Sequence, residues 1–169
     1  MLKRKLLYLL SASVFLAISI FSAGCGEQEK DIAGTWELET INGEPLFSTV
    51  GEETKSYTSE WEFNGEEWNW TTTINFEIEG YLITVRIIIN GVYIVFDSEI
   101  TITCGKTSFD VTLPEELKEM GLSEKELEDE IEKDFEGPDG EIKGEYSISG
   151  DSLTITTTDG DIIVLKRKG

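Results

Sequence analysis

Between Glu67 and Gly80 the chain reads EWNWTTTINFEIEG, and its apolar residues return at even spacing. Trp68, Trp70, Ile74, Phe76 and Ile78 point one way, while Asn69, Thr71, Thr73, Asn75, Glu77 and Glu79 point the other. A period of two marks a strand with one face on a core and one in water. The same alternation, broken by turn dipeptides, runs through most of the chain after Ile32 and predicts antiparallel sheet.

The turn dipeptides predict register, because a two-residue loop sets which side chains meet across a hairpin. With Asn64-Gly65 as a loop, Trp61 faces Trp68 and Ser59 faces Trp70. With Gly80-Tyr81 as a loop, Ile78 meets Ile83, Phe76 meets Val85 and Ile74 meets Ile87. A third loop at Asn90-Gly91 sets Ile87 against Ile94 and Val85 against Phe96, so that four consecutive strands share one apolar face. Gly150-Asp151 pairs Ile148 with Leu153 and Tyr146 with Ile155. At Asp159-Gly160 the loop length is open, and either Ile162 with Val164 or Ile163 with Leu165 faces inward.

The period changes between Cys104 and Gly137. After the strand KTSFDVTL, Pro114 opens a helical stretch, and Ser123 with Glu126 forms a capping box for SEKELEDEIEKDFEG. Leu127, Ile131 and Phe135 form a narrow apolar stripe at four-residue spacing, and Gly137-Pro138 stops the helix. The whole predicts an all-β fold: an antiparallel up-and-down β-barrel of about eight or nine strands, with a helical insert near residues 114–136. A meander of that length closes on itself to remove exposed edges, and a two-layer sandwich is the alternative. The third hairpin also sets Ile88 beside Tyr93 on the outward face, with Leu82 and Val95 nearby, a patch for which the insert helix is the expected cover.

The N-terminus adds a location. In MLKRKLLYLLSASVFLAISIFSAGC, three basic residues precede an apolar run that ends in Ser22, Ala23 and Gly24, which is the pattern of an export signal. A cysteine straight after Ala23-Gly24 resembles a bacterial lipobox, with Ser22 in place of the commoner Leu. The division expected is a signal peptide over residues 1–24, a lipidated tether over 25–31 beginning at Cys25, and one domain over 32–169. Removing residues 1–24 takes away Lys3, Arg4 and Lys5 and no acid, so a net charge of −20 becomes about −23. So acidic a domain is a poor partner for nucleic acid and for anionic lipid.

The stretch GTWELETINGEPL, the W-x-F-N-G strand that follows and the closing GEYSISGDSLTITTTDG with IVLKRK resemble the bacterial lipocalin-like domain lipoproteins. The resemblance runs from about Ile32 to Lys168. It implies a lipocalin-like barrel, opened by a Gly-x-Trp strand, that is held at the cell membrane or outer membrane and binds or carries a small apolar molecule. The alternative is a filled barrel serving as an envelope structural or protein-interaction module.

On either reading, Trp36 is expected to plug the core. Trp61, Trp68 and Trp70, with Phe76 and Tyr57, are the candidate ligand contacts, and serve equally well as cross-strand packing. Chemistry finds little support: the chain has no His, and no phosphate loop or nucleophile motif. Neither a catalytic residue, a metal ligand nor a cofactor is therefore assigned. The PDGE and TDGD stretches read as turns rather than as calcium loops. Cys104 is expected to be a small buried apolar residue.

Overall fold

A computed structural model describes residues 31–45, 53–135 and 140–169. The export signal, Cys25 and most of the tether, Gly137-Pro138 and half of the PDGE stretch lie outside the described residues. Nine strands follow in order: β1 (Gly34–Ile41), β2 (Glu44–Pro45), β3 (Thr54–Asn64), β4 (Glu67–Ile78), β5 (Tyr81–Phe96), β6 (Glu99–Thr112), β7 (Glu141–Ser149), β8 (Ser152–Thr157) and β9 (Ile162–Arg167). Two helices, α1 (Glu115–Glu119) and α2 (Glu124–Asp134), lie between β6 and β7. Each strand pairs antiparallel with the next around the ring, and β9 returns to β1, which closes a barrel of eight strands with β2 as a short extra strand on β1. The fold is thus the all-β lipocalin-like barrel, and the sandwich is ruled out. Among the described residues no helix is long and apolar enough to cross a membrane.

The ladder is complete around one end of the barrel, here the lower end. At this lower end β1 pairs with β3 over Gly34–Glu37, and β6 pairs with β7 over Glu99–Thr103. Trp36 is fully buried there, the core plug expected of it. Its indole N–H donates to the Ile32 carbonyl at 2.8 Å, and the Arg167 guanidinium covers its ring, 4.1 Å from the centroid. Above this level β3 and β6 continue without those partners. Helix α2 lies along the second half of β6, and its Leu127 and Ile131 enter the core with Leu117 of α1. Phe135 meets Phe109 edge-on, with ring centroids 5.1 Å apart. Ser123 caps α2 by accepting from the Glu126 N–H, as the sequence predicts.

Two predicted registers slide by one loop residue, and one predicted hairpin does not exist. The first loop is Gly65-Glu66, so Trp61 faces Trp70 and Phe63 faces Trp68. The second is Glu79-Gly80, which sets Ile78 against Tyr81, Phe76 against Ile83 and Ile74 against Val85. Both residues of that loop take positive φ, 54° and 87°, as a type I′ turn requires. Sliding a two-residue loop by one position shifts every partner by two, so the same faces still meet. Alternation cannot detect such a slip.

At Asn90-Gly91 the chain does not turn. β5 runs straight through, because all twelve residues of β4 find partners between Tyr81 and Val92, and a turn at Asn90-Gly91 would strip three of them. A bulge opposite Asn90 shifts the β6 register there. Gly91 is needed because a Cβ at that position would lie 2.2 Å from the Thr103 carbonyl oxygen. The sides of the strand past Asn90 are therefore reversed from expectation: Tyr93 is buried, while Ile94 and Phe96 are 69% and 71% exposed. Three strands rather than four follow the predicted shared face. Nor does the insert helix cover Leu82, which stays exposed. At the last two hairpins, Ile148 meets Leu153 and Tyr146 meets Ile155 as predicted, and Ile163 with Leu165 is the buried pair of β9.

Candidate functional site

Registry across β3, β4, β5 and β6 arranges the inward side chains in rows. The lowest holds Phe63, Trp68 and Gly91; the next Trp61, Trp70, Ile89 and Thr107; then Ser59, Thr72, Ile87 and Phe109; then Tyr57, Ile74, Val85 and Val111. Phe76 and Ile83 lie higher still. An inner wall that is aromatic below and aliphatic above is thus crossed by a polar row. Two β-branched or small hydroxyl residues sit where alternation alone calls for apolar ones.

The structure brings the three predicted tryptophans together. Trp61 meets Trp68 edge-on at 5.2 Å between ring centroids, and Trp70 lies 5.6 Å from Trp61 and 6.4 Å from Trp68. Tyr57 joins them through hydrogen bonds to Thr72 and Ser59. Burial pushes its phenol above the ordinary value, and those two hydrogen bonds pull partly back. Phe76 is fully buried in the aliphatic part of the wall, two rows above Thr72, and does not share the cluster.

Ser59 and Thr72 are wall residues to which spacing assigns no site role. Their hydroxyls are 3.2 Å apart, and both side chains are buried. Trp70 donates its indole N–H to the Ser59 oxygen at 2.7 Å. The signal was present: Thr72 occupies an inward position in an otherwise apolar run and Ser59 lies two residues before Trp61 on the same face. Polar residues at inward positions of a strand are either errors of register or parts of a network.

The four tryptophan N–H groups divide evenly. Those of Trp36 and Trp70 are bonded, while those of Trp61 and Trp68 have no hydrogen-bond partner. Trp61 is 2% exposed and Trp68 not at all. A buried donor left without an acceptor costs about 1 to 3 kcal/mol. Trp70 and Tyr57 face the same interior and keep part of their surface accessible.

Elsewhere the described residues hold no cluster of acids and cysteines suited to a metal ion. In the TDGD turn, Thr157 accepts from the Gly160 and Asp161 N–H groups, and Asp161 accepts from the Asn42 amide at 2.9 Å, so these side chains build the rim. Cys104 is half-buried against the core rather than fully inside it. Compared with known proteins, the chain matches no protein-family model and no curated sequence.

Proposed function

We propose that the protein is an exported lipoprotein, tethered through a lipid on Cys25, whose barrel binds or carries a small and largely apolar molecule outside the cytoplasm. The observation that carries this reading is the polar row of Ser59 and Thr72 beside the partly accessible Tyr57 and Trp70. A few placed polar groups in an apolar wall, beside side chains that stay partly accessible, are the make-up of a small-molecule site. The resemblance to lipocalin-like lipoproteins supports the same reading by likeness of fold, and it requires neither a catalytic group nor a cofactor.

The test is intrinsic tryptophan fluorescence of the full chain against a panel of apolar molecules. With Trp61, Trp68 and Trp70 in one cluster, an occupant shifts or quenches the emission in a saturable way. A flat response across the panel sinks the carrier reading. One observation favours the second reading, an interaction module with a filled barrel: Val92, Ile94 and Phe96 form an outward stripe on β5 that is 49%, 69% and 71% exposed.

A further inference from the structure

The proposed carrier site has a chemical preference written into its donors and its charge. Trp61 and Trp68 each hold a buried indole N–H without an acceptor, in a cluster whose rings are 5.2 Å apart. The interior therefore presents donors and asks for an acceptor.

That acceptor is not a charged one. Among the described residues the buried polar side chains are Ser59, Thr72 and Asp161, so no cation stands inside to neutralise an anion. Arg167, the nearest base by registry, is turned to Trp36 and spends its N–H groups on the Ala33 and Asp31 carbonyls at 3.0 Å. The chain as a whole carries a net charge of −20. A carboxylate brought into this wall would exchange its water for neutral donors in a negative protein, which is a poor exchange. A carbonyl, ester, amide or ether oxygen has little hydration to lose by comparison.

We propose that Trp61 and Trp68 donate to the neutral oxygen of an otherwise apolar ligand, with Trp70 as the movable wall that admits it. This deepens the carrier reading and rests on it. Trp70 is suited to move: it is half-buried, it leans on both partner rings, and one hydrogen bond to Ser59 fixes its indole. When it swings out, the ligand's oxygen reaches the two donors and its apolar body lies along Ile87, Ile89 and Phe109.

The experiment uses the full chain with Cys25→Ser, which keeps it out of detergent, and three matched probes at neutral pH: methyl laurate, laurate and tridecane. Tryptophan fluorescence gives the affinities, and nitrogen-labelled indole spectra report each N–H directly. Methyl laurate should bind at least tenfold more tightly than laurate and several-fold more tightly than tridecane, moving the Trp61 and Trp68 indole protons downfield. Trp61→Phe or Trp68→Phe should bring the ester and alkane affinities together. Benzothienylalanine at either position, which keeps the ring and replaces N–H with sulfur, should do the same if the smaller ring disturbs the fold. Laurate binding as tightly as its ester, an ester no better than the alkane, or a water still held on both indoles in the ester complex overturns this proposal while the carrier reading stands. Binding of none of the three overturns both.

Discussion

Gly34 carries more of the fold than its size suggests. Its φ of +128° lies where side chains are rarely found, and a Cβ there would meet the Arg167 guanidinium at 2.9 Å. Gly34, Trp36 and Arg167 thus form one unit: the glycine leaves room, the arginine crosses, and the tryptophan is covered. Gly34→Ala should cost about 2 kcal/mol in urea unfolding, from backbone strain and the displaced guanidinium. Arg167→Ala should cost a similar amount, and the double variant should fall short of the sum, since the two losses share a cause. Full additivity would show that Arg167 does not depend on Gly34. The polar row gives a second test. Ser59→Ala leaves the Trp70 N–H and the Thr72 hydroxyl without their shared partner and should cost about 1 to 2 kcal/mol, with red-shifted tryptophan emission. The Gly-x-Trp pair was legible in sequence because both residues are local. Arg167 was not, since its partner lies at the far end of the chain.

At the scale of elements, helix α2 does the work of a missing strand. Past Thr103, β6 has no β7 beside it, and its amides need other acceptors. Glu124 accepts from the Leu113 N–H at 2.9 Å and Glu128 from the Val111 N–H at 3.2 Å. The spacing fits: four helical residues rise about 6 Å, and two strand residues advance about 6.7 Å. The Leu113 N–H, and after it Lys118, hold the Glu124 carboxyl below the ordinary carboxylate value. Its support is therefore complete above the ordinary value and is lost as pH falls through the lowered one. Amide exchange at Leu113, corrected for its intrinsic pH dependence, should accelerate on acidification. Glu124→Ala and Glu128→Ala should each raise it at the facing amide by tenfold or more at neutral pH, and unchanged protection would refute the role. Sequence pattern gave the helix, its cap and its stripe, but placed the stripe over Leu82, because the false turn at Asn90 had put the wrong residues outside. An Asn-Gly pair turns the chain at Asn42, where φ is 56° and 80°, and not at Asn90, where β4 offers a longer ladder. Local turn chemistry loses when a neighbouring strand has more hydrogen bonds to give.

On the scale of the whole molecule, closure joins the two ends of the described domain. The last residues of β9 and its tail hold the lower rim: the Arg167 N–H donates to the Asp151 carbonyl, the Lys168 N–H donates to the Thr35 carbonyl, and the Lys168 ammonium pairs with Glu60. Spacing and the cost of exposed edges predict a closed meander, but not the bulge near Leu38 or the splay of β1 from β3 to β9 by which it closes. The same rim lies near the tether, for the chain enters at Asp31, whose carbonyl is bound by Arg167. Removing residues 166–169 tests the rim without touching the buried Ile163 and Leu165. The truncated protein should keep its sheet by circular dichroism, lose about 2 to 4 kcal/mol of stability and expose Trp36 to aqueous quenchers. Quenching unchanged from the full chain would mean that the lower end closes without its last residues. Under the carrier reading the truncation makes a further demand: Trp36 lies directly opposite Trp61, so uncovering it should also weaken methyl laurate binding at temperatures where the truncated barrel remains folded.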